Sequence, residues 1–70
     1  MKAYGTARAI LQRTEKNHLI YSRYYDHLRR QLEINDYGDN HEALCAVLYL
    51  LEQTCEMLDE LRMAAKEALK

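Results

Sequence analysis

No proline occurs anywhere in this chain, and its only glycines are Gly5 and Gly38. Proline and glycine are the residues that most strongly break helices, so long uninterrupted helices are expected, with a single main break. The break falls at Asn35-Asp36-Tyr37-Gly38-Asp39-Asn40. Asn35 or Gly38 can adopt the left-handed conformation that ends a helix, and Asp39 followed by Glu42 reads as a capping box opening the next one.

On both sides of the break, apolar residues recur at alternating spacings of three and four, the signature of a heptad seam. In the first half the series is Tyr4, Ala7, Leu11, Thr14, His18, Tyr21, Tyr25, Leu28 and Leu32; in the second it is Leu44, Val47, Leu51, Thr54, Leu58, Leu61, Ala65 and Ala68. The series runs through Asn17 without a change of phase, which disfavours a third helix. The predicted fold is therefore all-α: one domain over 1–70, with a helix over about 3–34, a turn over about 35–40 and a helix over about 41–69. A tight turn makes the helices antiparallel, a hairpin with coiled-coil-like packing.

Such a hairpin has more apolar surface than it can cover. Leu48, Leu50, Cys55, Met57 and Leu69 widen the apolar face of the second helix, while Leu19 and Ile20 lie off the seam of the first. A 70-residue chain also leaves a large share of its surface in water. Its stability is expected to come from assembly, because two cysteines are too few for a disulfide scaffold. Cys45 and Cys55 lie on one helix, about 15 Å apart in rise, and cannot pair within it. The simplest assembly is a homodimer forming a four-helix bundle; a different protein supplying the missing helices is the other possibility.

Localisation is expected to be cytoplasmic. Ala9, Ile10 and Leu11 form only a short apolar run between Arg8 and Arg13, too short for a secretory leader, and no stretch approaches the length of a membrane span.

Thr14, His18 and Thr54 interrupt the seams and are expected to share hydrogen bonds as a buried polar layer fixing register. A pH-sensitive joint at His18 is the sharper alternative. Tyr21, Tyr24, Tyr25, Tyr37 and Tyr49 gather toward the turn end in a chain without phenylalanine or tryptophan. Tyrosine needs a partner or water for its hydroxyl, so a half-wet surface is expected there. With Arg23, Arg29 and Arg30 close by, this cluster is a candidate recognition face.

Formal net charge is −1, but it is unevenly divided. The first helix carries Lys2, Arg8, Arg13, Lys16, Arg23, Arg29 and Arg30 against Glu15, Asp26 and Glu33; the second carries Glu42, Glu52, Glu56, Asp59, Glu60 and Glu67 against Arg62, Lys66 and Lys70. Opposite charges on the two helices can set their orientation across a bundle. Arg13, Lys16, Arg23 and Arg30 also form a basic stripe, and a dimer that doubled it would suit a phosphate backbone. Some small plasmid-borne RNA-binding hairpins use such a bundle, an analogy of architecture without a shared motif.

His41 and Cys45, four apart on one helix face, have the spacing of two zinc ligands, but a catalytic site would need a third ligand and a cleft. There is no phosphate-binding glycine loop and no nucleophilic triad, so no enzymatic activity, cofactor or metal is expected. The function expected is that of a non-enzymatic interaction module: a regulator, inhibitor or chaperone-like adaptor that dimerises or docks onto a larger protein. Its candidate partner-binding residues are Leu19, Ile20, Tyr21, Tyr24, Tyr25, Arg23, Arg30, Tyr49, Leu48, Leu50 and Met57. The alternative is a dimeric RNA- or DNA-binding bundle using Arg13, Lys16, Arg23 and Arg30.

Overall fold

A computed structural model describes residues 2–70, with side chains described from Gly5 onward. Helix α1 spans Lys2–Ile34, a short 3-10 turn spans Gly38–Asn40, and helix α2 spans His41–Ala68. The two helices pack against each other as a hairpin.

The connection forms by local chemistry around Gln31. The amide of Asn35 still donates to the Gln31 carbonyl at 3.0 Å, and the side-chain oxygen of Gln31 accepts from Asn35 Nδ2 at 2.9 Å and from the Tyr37 hydroxyl at 3.3 Å. Asp36 Oδ1 then accepts the Gly38 amide at 2.9 Å, closing an Asx turn. Gly38 has φ +58°, the left-handed region that a side chain disfavours, and this reverses the chain.

The capping box expected at Asp39 and Glu42 does not form. Asn40 occupies the N-cap position of α2 without a side-chain cap. The reason is the 3-10 turn, which runs directly into the helix: the Asn40 amide donates to Tyr37 O at 3.1 Å and the His41 amide to Gly38 O. Backbone carbonyls thus accept donors that a cap would otherwise have satisfied.

On α1 the side turned toward α2 follows the expected seam. Ala7, Leu11, His18, Tyr25, Leu28 and Leu32 are half-buried and Thr14 is buried, while Tyr21 stands at the exposed rim; Tyr4 lies outside the described side chains. On α2 the seam is displaced. The row withdrawn from solvent along its whole length is His41, Leu44, Leu48, Leu51, Cys55, Leu58, Arg62, Ala65 and Leu69, again alternating three and four, with Gln53, Thr54 and Asp59 half-buried beside it. Val47, Leu61 and Ala68, expected in this seam, are exposed, and Leu48, Arg62 and Leu69 take their places. Thr54, half-buried, likewise yields its place in the seam to Cys55, which faces Ser22 of α1.

The physical reason is that two of these four adjacent pairs, Val47/Leu48 and Ala68/Leu69, are apolar at both members, and Thr54 and Cys55 are of similar size. Packing could choose either, and only Arg62 carries a charge. Its long stem can cover apolar surface while the guanidinium reaches outward, here to pair with Asp59 on its own helix.

Thr14, His18 and Thr54 are withdrawn from solvent, but the hydrogen bonds expected among them do not form. The Thr54 hydroxyl donates to Leu50 O of its own helix at 2.8 Å, and among the described residues no hydrogen bond joins Thr14, His18 and Thr54. Thr14 is nonetheless the most withdrawn residue, 3% exposed, followed by Ala65 at 7%. These two are small, and no large side chain among the described residues is fully buried.

The hairpin is a rod of 54 × 15 × 14 Å with a radius of gyration of 15.9 Å. A globular chain of this length would have a radius of gyration of about 11 Å. Accessible surface is 5717 Å², against about 4,600 Å² for a compact monomer of this mass. No described helix is long and apolar enough to cross a membrane.

Candidate interaction surface

Residues seven apart on a helix form rows along it, and neighbouring rows show which faces exist. On α2, the rows beside the α1 contact contain Ala43, Val47, Leu50, Thr54, Met57, Leu61, Ala64 and Ala68. Their spacing alternates four and three without interruption, so α2 carries a second complete seam, nearly all apolar. It does not face α1. Met57 is 68% exposed, Leu50 61%, and Val47 and Leu61 45% each.

The α1 residues beside this second seam are fixed by a shallow groove lined by Ala9, Ile10, Arg13, Thr14, Asn17, Leu58 and Leu61. Ile10 and Asn17 therefore border the same side of the hairpin as Leu61. Tyr24 lies in the row of Ile10 and Asn17, with Tyr21 next to it; their rings meet edge to face, centroids 5.9 Å apart. One broad side of the rod is thus built from Ile10, Tyr21, Tyr24, Val47, Leu50, Met57 and Leu61.

The opposite side is different in kind. There the groove between the helices is lined by Ser22, Tyr25, Asp26, Glu52, Cys55 and Glu56. Three carboxylates, two hydroxyls and a thiol line it, and the exposed apolar residues on this side, Leu19, Tyr49 and Met63, share their rows with Asp26 and Glu56.

The sequence-predicted recognition residues divide accordingly. Tyr21, Tyr24, Leu50 and Met57 come together on the apolar side. Leu48 and Tyr25 are half-buried in the contact between the helices, and Ile20 is half-buried in the row of Arg13, next to the apolar stripe of α1. Leu19 and Tyr49 are exposed, but they belong to rows on the polar and outer sides, away from the shared face. Arg23 and Arg30 lie in one outer row with Lys16, and Arg13 lines the groove beside Ile10. Ile10, Val47 and Leu61 were not among the candidates. The signal that could have found Val47 and Leu61 was the second alternation of four and three beginning at Ala43; Ile10, in a row with Asn17 and Tyr24 on α1, carried no such signal.

His41 is half-buried with its Nδ1 shielded and without a hydrogen-bond partner, and Cys45 is exposed. Among the described residues no group of three histidine, cysteine or acidic side chains is placed to hold a metal ion. The ion pairs Arg29–Glu33 and Arg62–Asp59 each lie within one helix, and Lys70, just beyond α2, pairs with Glu67 in its last turn.

No protein-family model matches this chain, nor does any curated protein or solved structure.

Proposed function

We propose that this chain is a non-enzymatic interaction module, a hairpin that acts by dimerising or by docking its apolar side onto a larger protein. The observation that carries the reading is the second seam of α2, with Leu50 and Met57 more than half exposed. Contiguous apolar surface of this extent is uncommon on a protein that works alone, and it marks interaction sites. The hairpin's thin interior adds to this, since burial of apolar area is the main stabilising term in folding and little is available within one copy.

Sedimentation equilibrium over a wide concentration range tests the reading, with Leu50→Glu and Met57→Glu as comparison variants. Both side chains are exposed in the hairpin, so a charge there leaves its helices intact. The expected result is an assembly for the natural chain that the variants lose while keeping their helical circular dichroism. A stable, monodisperse monomer of the natural chain would overturn the proposal.

A further inference from the structure

The apolar side has two unlike long edges. Outward from the apolar stripe of α1 come the rows containing Arg13, Lys16, Arg23, His27 and Arg30, and these rows contain no carboxylate. Outward from the second seam of α2 comes the row of Ala46, Gln53, Glu60 and Glu67, which contains no cation. A basic edge runs along α1 and an acidic edge along α2.

A second copy can cover this face with two-fold symmetry and aligned helices in two ways. If the axis runs along the rod, α1 of each copy lies over α2 of the other, basic edge against acidic edge twice, with both turns at the same end. If the axis crosses the rod within the interface, α1 lies over α1 and α2 over α2. Like edges then face each other, and the turns sit at opposite ends.

We infer that the occupant of the apolar face is a second copy of this chain in the first of these arrangements, with the two-fold axis along the rod. The inference rests on the interaction-module reading and names its partner. Three observations support it. The charges of the two edges are complementary only in this arrangement, and opposed potentials select orientation. The hairpin exposes about 1,100 Å² more than a compact monomer of its mass, and a standard interface covers about 800 Å² per partner. Finally, an axis along the rod preserves height. Ser22 is level with Cys55, so Tyr21 and Tyr24 of one copy come over the stretch from Leu50 to Met57 of the other, where aromatic rings can meet an exposed thioether.

This arrangement also sets the two basic rows on opposite corners, each facing acids. The crosswise dimer would instead place them side by side, the doubled stripe that a phosphate backbone requires.

The deciding experiment is a spin–spin distance from a nitroxide at Asp39→Cys, in a chain whose own cysteines are replaced by Cys45→Ser and Cys55→Ala. The expected separation is about 15–30 Å, set by helix layers ~8–10 Å apart plus the label linkers. The crosswise dimer would give a separation close to the 54 Å length of the rod. Alongside it, Glu60→Arg with Glu67→Arg is expected to weaken dimerisation about tenfold at low salt, as several exposed pairs are lost together. Adding Arg13→Glu and Lys16→Glu to the same chain restores it.

A short distance with loss and rescue supports the inference. A dimer with the long distance, or one indifferent to these reversals, overturns the arrangement while leaving the interaction module standing, and directs the next binding assay to RNA or DNA. A chain that is unfolded when alone overturns the second copy as occupant but not the module. A stable monomer overturns both.

Discussion

The hydroxyl of Ser22 lies 3.9 Å from the sulfur of Cys55, a contact across the hairpin between residues 33 apart in sequence. It fixes the register of α1 on α2 and places Cys55, rather than Thr54, against the first helix. Ser22→Cys, made together with Cys45→Ser, is therefore expected to form a disulfide with Cys55 under mild oxidation. Closing a loop of this length would raise stability by up to ~3–4 kcal/mol in the chain-entropy description. Mobility on a non-reducing gel and thermal melts with and without reductant check it. Failure to cross-link within one chain would mean that the register is different.

Leu48 and Val47 separate the two seams of α2 most directly. Leu48 is half-buried against α1, whereas Val47 is exposed on the apolar side. Leu48→Ala is expected to destabilise the hairpin at every protein concentration, by about 1–2 kcal/mol, since a fully buried leucine would cost 2–5. Val47→Ala should have little effect on a monomeric hairpin and weaken only the assembled form. Urea melts at low and high protein concentration distinguish them.

The two helices and the break between them were legible because helix breakers are confined to few positions and the apolar spacing is unbroken on each side. The seam of α2 was not, and the reason is specific. At Val47 and Leu48 both residues are apolar, as they are at Ala68 and Leu69, and Thr54 competes with Cys55. Arg62 beside Leu61 tips a reading from sequence toward the uncharged choice. A guanidinium on a long stem can lie along a seam without being buried, so its presence did not exclude the row to which it belongs. Periodicity thus shows how many rows are apolar, while packing decides which of them meet the other helix. The same ambiguity concealed the interaction surface, because Val47 and Leu61 were assigned to the interior.

The two glycines should respond to alanine in opposite senses, although a methyl group at either meets nothing within 4 Å. Gly5 lies in α1, where alanine is favoured over glycine by up to ~1 kcal/mol, less toward a fraying end. Gly38 has φ +58°, where a side chain costs about 1–2 kcal/mol. Gly5→Ala is therefore expected to raise the melting temperature and Gly38→Ala to lower it. Equal effects of one sign would show that backbone conformation at the turn does not control the difference.

If assembly supplies part of the stability, the melting temperature must depend on protein concentration, since association with the folded state shifts its equilibrium by mass action. The natural chain is expected to melt higher as concentration rises. Leu50→Glu and Met57→Glu place a carboxylate where these side chains now stand exposed, at 61% and 68%. They should melt at one temperature throughout, below the natural chain at high concentration and close to it at the lowest. The comparison separates loss of the interface from damage to the hairpin: damage would lower the variants' melting temperature even in dilute solution, where the natural chain has already lost its partner. A natural chain whose melting is independent of concentration would place all of its stability within a single hairpin, despite an interior in which only Thr14 and Ala65 are buried among the described residues.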